Sequence, residues 1–119
     1  MLPSLHCQHY QEFQGALEQL LQYVADQQEK GTALRECFQE VKQVFQRQIA
    51  TLSIDDIAPE SASRWQSLQT EIHKQMRLLE TDVMLLLSSR SLTTSQRRTS
   101  GLCDRVNTLI QYCTALLQL

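Results

Sequence analysis

Apolar residues recur at alternating intervals of three and four along most of the chain, and three short polar breaks interrupt them. That interval is the repeat of one helix face and not the alternation of a strand, so it predicts four helices, over about 4–29, 33–52, 60–89 and 94–118. In the first, Leu5, His9, Phe13, Leu17, Leu20 and Val24 form a stripe that Ala16 and Leu21 widen. Gly15 inside it costs about 1 kcal/mol relative to alanine, which a close helix crossing at that point would explain. The break Glu29–Thr32 then offers Gly31 for a left-handed C-terminal cap and Thr32 as the cap of the next helix.

Helix two carries Leu34, Phe38, Val41, Phe45, Gln48 or Ile49, and Leu52, a stripe expected to face helix one. Ser53–Pro59 is the longest interruption, with Asp55, Asp56 and a proline that disfavours helix in the residue before it. In helix three, Trp65, Leu68, Ile72, Met76, Leu79, Val83 and Leu86 keep a near-heptad rhythm, Gln75 lying beside Met76. Thr93 with Gln96 has the spacing of a capping box and is expected to start helix four. There Leu102, Val106, Leu109, Cys113 and Leu116 repeat the pattern, with Ile110 and Leu117 broadening it. The expected fold is all-α, a single helical domain over 1–119 built as an antiparallel four-helix bundle. Two elongated helical hairpins are the alternative, should the polar stretch 88–101 bend or fray.

Composition supports helices: the 119 residues include only three glycines and two prolines, and aromatics make up 6%. The longest purely apolar run, Val83–Leu87, is far below the ~20 residues of a membrane span, and the start shows no basic-then-apolar leader. A soluble cytoplasmic protein without membrane contact is expected. The net charge of −2 conceals a division, because residues 1–60 hold four bases against nine acids, a balance of −5, while residues 61–119 hold seven against four, or +3. Mutual attraction between the two halves explains this plainly; a basic face reserved for an acidic partner is the sharper reading.

Candidate chemistry is thin. Cys7, Cys37, Cys103 and Cys113 show no metal-binding spacing, and free thiols are expected, with Cys37 and Cys113 beside or within apolar stripes. His6, Cys7 and His9, with Glu12 one turn on, form the cluster most like a ligand set, but at a helix end and short of good ligands; no metal or cofactor is expected. His73 flanks the helix-three stripe and would need a carboxylate and a pocket to move protons. With no Gly-x-Ser-x-Gly turn and no glycine-rich phosphate loop, the chain is not expected to be an enzyme. Arg90, Arg97, Arg98 and Arg105 surround a Ser/Thr-rich stretch suited to phosphates, yet the pI near 5.9 and the lack of interleaved aromatics disfavour nucleic acid.

The best physical indication of a partner is an apolar surplus. Val83, Met84, Leu85, Leu86 and Leu87 advance about 100° per residue and so ring helix three, whereas one bundle stripe covers little more than a third of the circumference. Leu92 folding back over them, a homodimer contact, or a groove for a partner helix would each cover the rest. Trp65 is either the first member of the core stripe or a second interface anchor.

The run Gln69-Thr70-Glu71-Ile72-His73-Lys74-Gln75-Met76-Arg77-Leu78-Leu79 resembles the central motif of the cyanobacterial PatD family, and Asp104–Cys113 is similar to a later stretch of it. Length and four-segment layout extend the resemblance over nearly the whole chain. It implies a cytoplasmic regulator of heterocyst frequency and cell division, which associates with the tubulin-like protein FtsZ and promotes filament assembly or bundling. It brings no catalytic or ligand residues with it. Lys74, Arg77 and Arg105 are the expected polar contacts, chosen for charge and helix position; Trp65, Val83, Met84, Leu85 and Leu87 are the expected apolar ones.

Overall fold

The structure, a computed structural model, describes residues 2–25 and 32–119. Four helices make up a bundle: α1 (Ser4–Ala25), α2 (Thr32–Val44), α3 (Pro59–Leu87) and α4 (Leu92–Leu117). The expected cap at Gly31 lies outside the described residues, as does the end of helix one at Glu29. One core cluster runs through all four helices, from Leu2 and Tyr10 to Leu116, so the chain does not divide into separate hairpins. The molecule is rod-like, 50 × 19 × 19 Å, and its 15.1 Å radius of gyration exceeds the about 13.5 Å of a compact domain this long.

The stripes of α3 and α4 close the core largely as their spacing predicts. Trp65, Ile72, Met76, Leu79, Val83 and Leu86 are buried from α3, and Leu102, Val106, Leu109, Cys113 and Leu116 from α4. Residue numbers run in opposite senses along this pair, since Glu71 meets Tyr112, Asp82 meets Arg105, and the Leu85 carbonyl meets Arg98. Pro59 occupies the first turn of α3, where its missing N–H costs nothing and its fixed φ suits the helix. α4 starts earlier than the expected capping box: Ser91 is extended and its Oγ accepts from the Thr94 N–H at 3.1 Å, placing Thr93 inside the first turn.

α1 departs from its expected stripe at the N-terminal end. Leu5 is 59% exposed and His9 sits at the edge, while His6 and Tyr10 are buried in their place. Tyr10 wins that position because its ring adds apolar area and its hydroxyl finds partners inside the bundle. The close crossing inferred at Gly15 is also absent: that residue faces outward, and nothing lies within 4 Å of where a Cβ would stand. Gly15→Ala is therefore expected to raise stability by about 0.5–1 kcal/mol through helix propensity and a less disordered unfolded chain, read as a higher urea midpoint.

α2 does not end as a plain helix. Phe45–Ile49 forms a π turn, closed by the Ala50 N–H on the Phe45 carbonyl at 2.8 Å. Two long-range side chains then satisfy carbonyls of this turn. His9 Nδ1 donates to Gln48 O at 3.1 Å, and Gln69 Nε2 donates to Ile49 O at 2.8 Å. A short 3-10 turn at Ile54–Asp56, with Ser53 Oγ accepting from the Asp55 N–H, leads into α3.

The four sides of the bundle are not equally closed. α1 packs closely on α4, α4 on α3, and α1 on α2, whereas α2 and α3 meet sparsely.

Candidate docking groove between α2 and α3

The sparse side is a groove. Two cavities open along it, about 440 Å³ between Arg35, Phe38, Met84 and Leu87 and about 200 Å³ around Phe45, His73 and Met76; a third, about 500 Å³ and bounded by Ile54, Trp65, Lys74 and Arg77, continues along α3 beside the segment that follows α2. The floor comes from core residues seen at their edges, Phe38, Met76 and Val83 among them. Met84, 64% exposed, forms an apolar lip.

The rim is cationic. Arg35, Lys42, Lys74 and Arg77 face the cavities against Glu80, the single acid among the described lining residues. Lys42 Nζ lies 2.6 Å from Glu80 Oε2 and ties the two walls together at mid-length. Lys74 reaches only the outer Glu71, at 3.9 Å and well exposed, a pair worth little. Arg35 and Arg77 have no ion-pair partner among the described residues. His73 packs edge-on against Phe45, ring centroids 5.0 Å apart; burial lowers its pKa, and the nearby Arg77 charge lowers it further.

The expected contacts divide accordingly. Lys74, Arg77, Met84 and Leu87 line the groove. Arg105 does not: it is on the α3–α4 side, its Nε 2.6 Å from Asp82 and its Nη1 2.8 Å from Gln75 Oε1, so its charge is already engaged. Trp65 and Val83, 4% and 3% exposed, belong to the core, because their stripe positions face the bundle axis, and reach the cavities only at their edges. Leu85 is exposed on α3 but does not line these cavities. Leu92, 74% exposed, does not fold back over the apolar run. Arg35, Lys42, Phe38 and Phe45 were not expected here, although a signal exists, since both pairs are seven residues apart and so share neighbouring lines on one helix.

No family model matches the chain, and no curated protein or solved structure is significantly similar to it.

Elsewhere the side chains that suggested chemistry do not converge. His9 turns to Gln48, Cys7 Sγ to the Leu2 carbonyl at 3.7 Å, and His6 lies beside Trp65, ring centroids 6.5 Å apart. Among the described residues no three His, Cys, Asp or Glu groups are placed to hold a metal, and no helix is long and apolar enough to cross a membrane. All four cysteines are free. Burial pushes the Cys113 thiol up to about 12; burial and neighbouring acids raise Cys37 and Cys103, the reverse of an activated nucleophile.

The raised Cys113 value has a measurable consequence. Its folded-state pKa lies above the ordinary 9.0, so stability is unaffected below pH 9 and falls as pH climbs from there toward 12, where the unfolded chain ionises first. A thiol-specific reagent at neutral pH is expected to label the half-buried cysteines and spare Cys113 until urea unfolds the chain. In Cys113→Ala the alkaline loss of stability should shrink.

Proposed function

We propose that this chain is a non-enzymatic cytoplasmic binding module that docks on FtsZ and promotes the assembly or bundling of its filaments, and through them influences cell division and heterocyst frequency. The observation that carries the reading is the groove itself: an unclosed side of a four-helix bundle, with an apolar floor and unpaired cations on its rim. A bundle whose only task was to be stable would gain by closing that side. The choice of FtsZ comes from the resemblance to the PatD family. The motif Gln69–Leu79 supplies His73, Lys74 and Arg77 to the groove, so the segment that carries the resemblance also carries part of the candidate contacts.

The test is polymerisation of purified FtsZ with GTP, followed by light scattering and by pelleting. The unchanged chain is expected to increase both signals. In Lys74→Glu/Arg77→Glu the concentration giving half the effect should rise about tenfold, equivalent to about 1.4 kcal/mol of lost interaction. Added salt should weaken the effect, since exposed charge pairs are screened over roughly 10 Å at ~0.1 M. A flat trace with the unchanged chain would refute the assignment to FtsZ.

A further inference from the structure

We infer that the α2–α3 groove receives one amphipathic helix from a different protein, carrying acidic residues beside its apolar stripe and lying along α3. This rests on the reading of the groove as a docking surface, not on the identity of the polymer.

Shape comes first. The cavities follow α3 from Trp65 to Ser88, about 35 Å at 1.5 Å per residue, which suits a straight rod of roughly 23 residues. α3 runs the whole length and α2 faces it over most of the way, both helices whose backbone groups bond internally; no strand edge is on offer among the described residues, and an extended peptide would leave its own backbone unpaired. A helix satisfies its backbone by itself and needs only side-chain complementarity.

Charge then sets the pattern. Arg35 stands near Met84 at one end, and Arg77 and Lys74 stand toward the other, seven and ten positions from Met84 along α3, or about 10 and 15 Å. The middle is already neutralised by Lys42 and Glu80. The occupant that fits has acids about seven to ten positions apart and a neutral or apolar residue between them, where a carboxylate would meet Glu80.

A second copy of this chain does not fit. Its exposed apolar residues on α3 outside the groove, Leu78 and Leu85, lie beside Arg77 and Arg98, which would face the cationic rim. Its exposed acids Glu18, Glu36 and Glu40 stand on faces without exposed large apolar side chains, while Glu12 shares a face with Leu5 alone, and Asp55 and Asp56 adjoin Ile54 alone. No described face sets a stripe of exposed apolar side chains beside exposed acids.

The experiment uses the full chain and a fluorescein-labelled synthetic helix of about 24 residues, with a leucine stripe and glutamates at the two spaced positions. Two control peptides replace those glutamates with lysine, or keep the composition and scramble the stripe. Saturable anisotropy with the glutamate peptide, with amide shifts of the unchanged chain confined to α2 and α3, is expected. Arg35→Glu, Arg77→Glu or Met84→Asp should each weaken it about tenfold while unfolding midpoints stay put, these side chains being solvent-exposed. Equal binding of the lysine or the scrambled peptide, shifts on the α1–α4 side, or no binding at ~1 mM would each overturn the inference. Capture of the glutamate peptide together with a flat FtsZ trace keeps this inference and removes the division reading. Enhanced FtsZ scattering without peptide capture does the opposite.

Discussion

Trp65→Ala is expected to destabilise the bundle by about 4 kcal/mol, lowering the thermal midpoint of a domain this size by roughly 15 °C. Two losses combine. The indole is buried at the end of α3, so truncation leaves a cavity that the two neighbouring helices cannot collapse into. Its Nε1 also donates to the Tyr10 hydroxyl at 3.0 Å, a bond made across the bundle rather than along one helix. Trp65→Phe restores most of the volume without the donor and should cost about 1–2 kcal/mol. Peptide or polymer binding by the fraction still folded should change little in either variant. An interface anchor would behave the other way, with binding lost and the midpoint nearly unmoved, so denaturation and binding measured on the same samples decide the matter.

Gln69→Leu, a swap toward hydrophobicity at a buried position, is expected to cost about 2–3 kcal/mol all the same. Gln69 joins three elements: its Oε1 accepts from Tyr10 Oη at 2.5 Å, and its Nε2 donates to Ile49 O at 2.8 Å. Leucine would orphan both a buried hydroxyl proton and a carbonyl of the π turn. Burial raises the Tyr10 pKa, so the hydroxyl cannot escape the loss by ionising. Tyr10→Phe alone should cost less, and the double variant less than the sum, because both changes break the same bond. Urea unfolding of the four proteins in the cycle checks this; additive losses would mean that the chain of bonds is not a unit.

Why the fold was largely legible follows from α3 and α4. Apart from Gln69 and Ser95, their buried positions are apolar residues at helical intervals, so hydropathy marks most of the buried face. The errors gather where a polar group is buried or the helix is not a regular one. Tyr10 and Gln69 lie outside the apolar stripes of their helices, and only the fold shows them buried together with the Tyr10 hydroxyl donating to Gln69. The ambiguity between Gln48 and Ile49 in the stripe of α2 was the trace of the π turn, whose extra residue breaks the three-and-four rhythm.

The candidate site was only half legible. The surplus at Val83–Leu87 correctly indicated that α3 carries more apolar surface than one stripe needs, and Met84 and Leu87 do line the groove. Periodicity within a helix does not say which neighbours lie close, however. The sparse meeting of α2 with α3 depends on how four rods share their sides, and the engagement of Arg105 by Asp82 depends on a residue 23 positions away.

The five-residue turn Phe45–Ile49 also makes the chain length itself a structural parameter. Excising one residue there would let the backbone relax to an ordinary helix, but everything downstream up to Pro59 would swing by about 100° about the axis. Ile49 would leave the interior, and the carbonyls now held by His9 and Gln69 would turn away from them. A single-codon deletion at this point thus threatens the molecule more than most substitutions, whereas the stretch from Leu52 to Ala58, outside regular α-helix, is where a change of length has room to be absorbed.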